Sequence, residues 1–187
     1  HLNQPDKHIL TAEDPIEIEI EGIIQTQVNR GISLDFSQLL LTFLRQDPDI
    51  IMLGEIRDEE SAEMALRAAQ TGHLVLSTLH TNDAPSAFER LLQLGIKDYE
   101  LENALLLVIA QRLVRKCCVH CAGQGCAECY QGYKGRTGVY QFFAKNGKTF
   151  EKSTACLDFQ TLRESAEQKL RMGETNEAEI SRVLGYV

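Results

Sequence analysis

Long hydrophobic runs are missing from this 187-residue sequence, in which the longest uninterrupted apolar stretch covers only residues 104–110. A membrane-spanning helix requires about 18 or more apolar residues in a row, so the sequence predicts no such helix. No signal-peptide pattern opens the sequence, and neither a low-complexity segment nor an internal repeat is present. With 43% hydrophobic residues, the chain can build one full core and a small additional element.

Positive charge is scarce as well. The sequence has 19 Lys and Arg residues against 27 Asp and Glu residues, and its formal net charge is −8. Its one basic block spans residues 112–116. Because proteins that bind nucleic acids present a basic face, this balance predicts no nucleic-acid partner and counts against a helicase or a recombinase.

Three short apolar runs predict buried strands, at residues 7–12, 50–53 and 74–78. A predicted helix joins the last two, and a strand–helix–strand order of this length indicates parallel strands. Four polar side chains lie just beyond the ends of the three runs: Glu13, Asp14, Glu55 and His80. Because ligands bind outside the carboxyl ends of parallel strands, we expect these side chains to line one crevice.

Carboxylates and a histidine in such a crevice are typical of a phosphate site, where they hold magnesium, polarise water and contact the γ-phosphate. Structural alternatives exist for both acidic positions. Asp14-Pro15 also fits an ordinary turn beside a solvated Glu13, and Glu55 also fits the start of a polar loop. His73 lies at the opposite, entering end of the third strand, where a structural role is expected.

The phosphate-binding loop Gly-x-x-x-x-Gly-Lys-Ser/Thr is absent from the 187 residues. In that loop, backbone N–H groups and a lysine cradle the nucleotide phosphates. The acidic strand ends supply only the other half of such a site. We therefore expect the chain to be the C-terminal part of a larger nucleotide hydrolase, beginning just after its phosphate loop.

Periodicity predicts the remaining elements of an α/β fold. Alternating Ile and Glu over residues 16–21 predict a strand with one wet face, and residues 23–28 continue as a second extended piece. Residues 136–143 are predicted to form a strand pair or hairpin arm, and Asn176 with Glu179 fits a capping box. Apolar faces and capping residues predict six helices, at residues 35–46, 58–70, 83–94, 98–114, 158–172 and 177–184.

Five of the six cysteines lie between Cys117 and Cys129. In a non-secreted chain, this crowding indicates a metal rather than disulfides. Two Cys-x-x-Cys pairs, Cys118 with Cys121 and Cys126 with Cys129, supply the four thiolates of a tetrahedral zinc site. Reduced free thiols are the alternative.

Only four residues separate the two cysteine pairs, and Gly123 and Gly125 within this spacer permit a tight return. Cys117 is a competing ligand because it adjoins the first pair. His120 is a possible substitute ligand, although it lies awkwardly inside that pair, and Cys156 is expected to be an ordinary thiol.

Long motifs in this sequence resemble those of secretion and pilus-assembly ATPases. Residues 13–17 (Glu-Asp-Pro-Ile-Glu) resemble the aspartate box of that family, residues 47–58 resemble its Walker B segment, and residues 71–81 resemble its histidine box. Residues 112–138, which contain the paired cysteines, resemble the corresponding segment of the type II secretion and pilus-extension branch. The likeness covers residues 7–184, although relatives have a longer spacer between the cysteine pairs.

The resemblance implies a RecA-like P-loop ATPase core, a parallel sheet flanked by helices, at residues 1–115. It further implies a tetracysteine zinc-binding element at residues 116–143 and a C-terminal helical subdomain at residues 144–187. Such a protein is a cytoplasmic homo-hexamer, peripheral at the inner-membrane face, that hydrolyses ATP with Mg²⁺. It drives type IV pilus assembly or type II secretion through an inner-membrane platform protein, and so meets the membrane only indirectly.

The resemblance also implies roles for single residues. Glu13 is the catalytic carboxylate that activates water, and Glu55 is the Walker B acid that acts through magnesium. Four residues are expected to contact the nucleotide: Asp14, Arg57, His73 and His80. A solvated side chain is the alternative for Arg57. Without the phosphate loop the isolated chain is expected to be inactive, and a zinc-stabilised interaction module without catalysis is the alternative function.

Overall fold

The computed structural model describes residues 1–144 and 161–185. These residues form two compact units. The first unit comprises His1–His80 and Ala87–Leu105, and the second comprises Thr81–Ser86 and the described residues from Leu106 onwards. Within the described part of the chain, no helix combines the length and the apolar character that crossing a membrane requires.

A four-stranded parallel sheet forms the centre of the first unit. Its strands are β1 (Ile9–Glu13), β2 (Ile24–Gln27), β3 (Ile50–Leu53) and β4 (Leu74–Ser77). The spatial order is β2-β1-β3-β4, and each neighbouring pair is parallel. The three strands predicted from apolar runs and their parallel direction are therefore confirmed.

The strands direct side chains to both faces of the sheet, and helices α1 (Phe36–Phe43) and α2 (Glu59–Gln70) pack against it. The unit also includes α4 (Asp98–Ala104), while α3 (Ala84–Gln93) begins in the second unit. Asp35 and Asp58 cap α1 and α2 by accepting the N–H groups of Gln38 and Ser61 at 2.9 and 2.8 Å. The core between sheet and helices contains Leu10, Ala12, Leu40, Ile51, Leu53, Ala62, Ala65 and Ala68.

The alternating Ile and Glu segment at residues 16–21 does not form the predicted strand. Ile18 is 71% exposed, and β2 begins only at Ile24. The backbone of this segment instead bonds to a side chain, because Gln25 accepts the N–H of Ile20 and donates to the carbonyl of Ile18. The prediction that β4 is a buried strand is also wrong, since β4 lies at the end of the strand order and its Leu76 is exposed.

A two-stranded antiparallel sheet organises the second unit. Strand β5 (Leu107–Cys117) pairs with β6 (Tyr133–Ala144), and helices α5 (Leu162–Arg171) and α6 (Glu177–Leu184) pack against the pair. The core residues of the unit come from both strands and from all its helical segments: Ala84, Ala110, Val114, Val139, Leu162, Ala166 and Ile180. The predicted hairpin arm at residues 136–143 is thus confirmed as part of β6.

The predicted long helix at residues 98–114 is wrong. Helix α4 ends at Ala104, and β5 begins at Leu107. Burial alternates along β5, with Ala110 and Val114 buried and Ile109 and Leu113 exposed, which is the period of a strand. Cross-strand pairing with β6, a partner distant in sequence, overrides the helical spacing of the leucines.

Both closing helices are confirmed where the structure describes them. For the prediction of a helix at residues 158–172, residues 158–160 lie outside the described range. Thr161 and Glu164 form a capping box at α5, whereas at α6 only half of the predicted box is present. Asn176 accepts the N–H of Glu179, but the carboxylate of Glu179 accepts from Arg115 and Arg182 instead of from the N–H of Asn176.

Candidate functional site

A cleft of about 320 Å³ opens at the carboxyl end of the sheet in the first unit. Its acidic side includes Glu13, the last residue of β1, Asp14, which follows it, and Glu55, which follows β3. Its apolar side includes Phe36 and Met52. The structure therefore brings together the three carboxylates that sequence spacing predicted to share one crevice.

The carboxylate of Glu13 is half-buried and held through one oxygen. The hydroxyl of Thr11 donates to Glu13 Oε1 at 2.5 Å, and Gln25 Nε2 donates to the same oxygen at 2.8 Å. Thr11 and Glu13 share a face of β1 because side chains alternate along a strand. These two hydrogen bonds orient the side chain of Glu13.

Glu55 is 8% exposed and has partners on both oxygens. The guanidinium of Arg57 forms an ion pair with Oε1, and His80 Nε2 lies 3.1 Å from Oε2. The hydrogen bond from Arg57 lowers the pKa of Glu55, burial opposes this effect, and the contact with His80 lowers the pKa further. Glu55 is therefore held as a carboxylate at neutral pH.

Backbone pairing beyond the strands places His80 beside Glu55. The N–H of Ile56 donates to the carbonyl of Thr78 at 3.0 Å, and the hydroxyl of Thr78 donates to the carbonyl of Gly54 at 2.6 Å. These bonds continue the β3–β4 pairing past the strand ends. The proximity of Glu55 and His80 thus follows from the parallel register.

Two other predicted site residues lie in different surroundings. Asp14 forms an ion pair with Arg30 at 3.2 Å, at the rim of the cleft. His73 lies at the amino end of β4, where its Nδ1 is 2.9 Å from the carbonyl oxygen of Ala68 and 3.2 Å from the hydroxyl of Thr71. The structure does not bring His73 to the cleft.

Sequence reasoning missed Thr11, Gln25 and Thr78 as site residues. Thr11 had a usable signal, because a residue two positions before Glu13 on a strand shares its face. Gln25 and Thr78 had none, since their partners lie 12 and 24 residues away in sequence. Only the pairing of strands reveals those contacts.

The second unit contains a separate cluster of thiols. The sulfur atoms of Cys118, Cys121, Cys126 and Cys129 all lie within 4.8 Å of one another, and three of the pairs are 3.7–3.9 Å apart. A tetrahedral zinc ion with Zn–S bonds of about 2.3 Å requires sulfur separations of about 3.8 Å. The four predicted ligands therefore fit a zinc ion.

The local backbone favours a thiolate at one member of this cluster, Cys121. Burial raises the pKa of Cys121, but the backbone N–H of Gly125, 3.1 Å from its sulfur, and neighbouring donors lower that pKa to about 7. Gly123 and Gly125 both have positive φ angles, as expected for the tight return between the cysteine pairs. The candidate His120 contacts Glu128 at 3.1 Å, and neither it nor Cys117 belongs to the cluster.

Comparison with known proteins decides the family. A family model described as "Type II/IV secretion system protein" matches residues 1–182. The chain belongs to this family. The resemblance drawn from the aspartate, Walker B and histidine boxes is thereby confirmed for the type II secretion and type IV pilus ATPases.

Two curated proteins are similar to this chain over nearly its whole length. The protein transport protein HofB homolog of Haemophilus influenzae is 65% identical over 186 residues, which cover 98% of this chain and 39% of that protein. The type IV pilus assembly ATPase PilB of Pseudomonas aeruginosa is 42% identical over 221 residues, covering 97% of this chain and 39% of that protein. The chain thus spans about two fifths of either relative.

Two solved structures of other proteins share the fold of this chain. The pilus retraction motor PilT with bound ADP has a TM-score of 0.72 at 29% identity, over 94% of this chain and 52% of that one. The ATPase DotB of Legionella pneumophila has a TM-score of 0.72 at 24% identity, over 97% of this chain and 53% of that one. A mixed α/β fold with a parallel sheet is therefore shared with ATPases.

Proposed function

We propose that this chain is part of a hexameric cytoplasmic ATPase that powers type IV pilus assembly or type II secretion. Its first unit is then part of a RecA-like core, and the motor acts at the inner-membrane face through a membrane-embedded platform protein. The 65% identity to a transport protein and the 42% identity to a pilus assembly ATPase support this machinery. The acidic cleft supports the proposed hydrolysis of ATP.

One observation carries the proposal: Glu13 and Glu55 line one cleft at the carboxyl ends of the adjacent parallel strands β1 and β3. Ligands of open α/β sheets bind at that edge. Two carboxylates there suit the hydrolysis of a nucleotide, because one activates water and the other acts on the metal that neutralises the phosphates.

In the proposed step, Glu13 accepts a proton from water as the water oxygen bonds to the γ-phosphorus of ATP. The bond between that phosphorus and the bridging oxygen breaks, and its electron pair leaves with ADP. Glu55, whose two oxygens contact Arg57 and His80, is the carboxylate that would serve a magnesium ion in this cleft. Magnesium, which prefers oxygen ligands and keeps several waters, supplies charge neutralisation when bound.

The remaining cleft residues support Glu55 and the rim. Arg57 and His80 hold the carboxylate of Glu55, so a nucleotide that contacts either of them also affects its orientation. Asp14 is proposed to face the nucleotide from the rim. A nucleotide-binding role for His73 stays a prediction, because His73 supports the turn between α2 and β4.

The test is ATP turnover by the intact protein with Glu13→Gln or Glu55→Gln. Each variant is expected to lose about 10²-fold or more in kcat, the usual contribution of a general base or a metal-organising acid. Glu19→Gln is the matched control, since Glu19 is exposed and does not line the cleft. Near-normal turnover in both variants, with folding intact, contradicts the assigned roles.

The thiol cluster favours a second function for the same machinery. Four sulfurs at zinc-binding distances indicate a zinc-stabilised element, which needs no catalysis to present a surface to a partner protein. These four thiols would hold the ion, and zinc would cross-link the loop between β5 and β6 when bound. An intact protein that binds zinc and folds, yet hydrolyses no ATP, would establish this interaction module as the function.

A further inference from the structure

The side chain of Gln25 joins the carboxylate of Glu13 to the loop between β1 and β2. Its Nε2 lies 2.8 Å from Glu13 Oε1 and 3.0 Å from the carbonyl oxygen of Ile18, and its Oε1 accepts the N–H of Ile20 at 2.7 Å. Rotating the amide by half a turn would set oxygen against oxygen at Glu13 and N–H against N–H at Ile20. The orientation of Gln25 is therefore determined by all of its partners.

The pairing of β1 with β2 explains why Gln25 reaches Glu13. Thr11 and Gln25 are direct cross-strand partners, and Glu13 lies two residues beyond Thr11. All three positions face the same side of the sheet. Two neighbouring side chains thus present their donors to a single carboxylate oxygen, Glu13 Oε1.

This arrangement gives the two carboxylate oxygens of Glu13 different hydrogen-bonding environments. Oε1 is taken by the two donors, whereas no side chain of residues 1–144 or 161–185 donates to Oε2. A general base needs one lone pair directed at water and a side chain that does not rotate away from it. We propose that Gln25 is a positioning residue that holds Glu13 with Oε2 directed into the cleft, a role that rests on the proposed ATPase function.

Gln25 also ties this orientation to the loop at residues 14–23. The loop lines the cleft through Glu17, Ile18 and Ile20, and its backbone is held by the same amide that holds Glu13. A displacement of the loop therefore moves the donor of Glu13. The loop and the catalytic carboxylate act as one hydrogen-bonded unit.

The first variant is Gln25→Glu in the intact protein, assayed for ATP turnover. It keeps the length of the side chain and an acceptor for Ile20, but it loses the N–H donor to Glu13 and faces that carboxylate with a like charge. We expect kcat to fall about 10- to 100-fold, as for a misplaced catalytic group, while KM for ATP changes less than about twofold. Gln38→Glu, an exposed position on α1 that does not line the cleft, should match the wild type.

A double mutant separates positioning from a general structural effect. If Gln25 acts through Glu13, adding Gln25→Glu to Glu13→Gln lowers kcat no further than Glu13→Gln does alone. A full additional loss in the double mutant, or a Gln25→Glu protein as active as Gln38→Glu, overturns the positioning role. Gln25→Met, which is uncharged and of similar length, replaces Gln25→Glu if the latter lowers Tm.

The same set of proteins distinguishes the two proposals. A wild-type rate from Glu13→Gln contradicts the proposed function itself, and the role of Gln25 fails with it. An inactive Glu13→Gln protein beside a fully active Gln25→Met protein leaves the ATPase proposal standing and contradicts only the positioning role.

Discussion

Replacing Glu179 by Gln tests the buried ion-pair centre of the second unit. Glu179 is 0% exposed, and its carboxylate accepts hydrogen bonds from the backbone and guanidinium of Arg115 at 2.6–2.9 Å and from Arg182 at 2.6–2.7 Å. Arg115 lies on β5, so this carboxylate fastens α6 to the strand pair. The ring of Tyr133 lies 4.0 Å from the Arg115 guanidinium and holds it from the other side.

The magnitude follows from the pKa of Glu179. Hydrogen bonds from Arg182, opposed by burial and joined by those from Arg115, lower this pKa from 4.5 to about 2. That difference corresponds to about 3 kcal/mol of stabilisation by the ionised carboxylate. Gln resembles the protonated acid in size and charge, so Glu179→Gln should cost about 3 kcal/mol of unfolding free energy at pH 7.

The sign of the pH dependence follows from the lowered pKa. The stabilisation is complete above the unfolded-state pKa of 4.5 and is lost as the pH falls to the folded-state value of about 2. Between about pH 5 and pH 2, the wild type should therefore lose about 3 kcal/mol that Glu179→Gln has already lost.

The assay is urea unfolding followed by circular dichroism at several pH values, with hydrogen exchange in α6 to assign the loss to the second unit. Glu177→Gln is the matched control. Glu177 lies on the same helix and pairs with Arg163 at 3.1 Å, but its side chain is 57% exposed, so we expect a cost of at most about 1 kcal/mol. Equal costs for the two variants would refute the argument, because solvent would then screen both ion pairs alike.

Two predictions concern the thiol cluster. Protein purified without chelator should contain about one zinc per chain when measured by plasma mass spectrometry. Cys126→Ser should lower this zinc content, whereas Cys117→Ser should not. A wild-type protein without zinc would contradict the proposed site. Gly132→Ala should weaken zinc retention more than Gly135→Ala, because both glycines have positive φ but only at Gly132 would the added Cβ overlap the carbonyl oxygen of Gly123. Equal zinc retention in the two alanine variants would contradict the role given to this close approach.

Local patterns were sufficient for much of the first unit. Apolar runs located β1, β3 and β4, and acidic capping residues located the starts of α1 and α2. The crevice could also be predicted, because parallel strands bring their carboxyl ends to one edge. That rule is enough to predict that Glu13 and Glu55 lie close together.

The strand β5 shows where local patterns fail. Leucines at helical spacing extended the prediction of a helix to residue 114, yet the backbone from Leu107 pairs with β6. The alternating pattern at residues 16–21 wrongly predicted a strand, because no strand among the described residues pairs with this segment. In both cases the deciding hydrogen bonds join segments that a local window does not contain.

By itself, the sequence determined the family, the parallel strands, the acids at their ends and the spacing of the four thiols, because these properties depend on short-range order along the chain. Only the tertiary structure decided that Thr11 and Gln25 hold one oxygen of Glu13, and that Glu179 fastens α6 to Arg115. Strand register and helix packing determine which distant side chains meet. Partners such as Arg115 and Glu179, 64 residues apart, are therefore chosen by the fold.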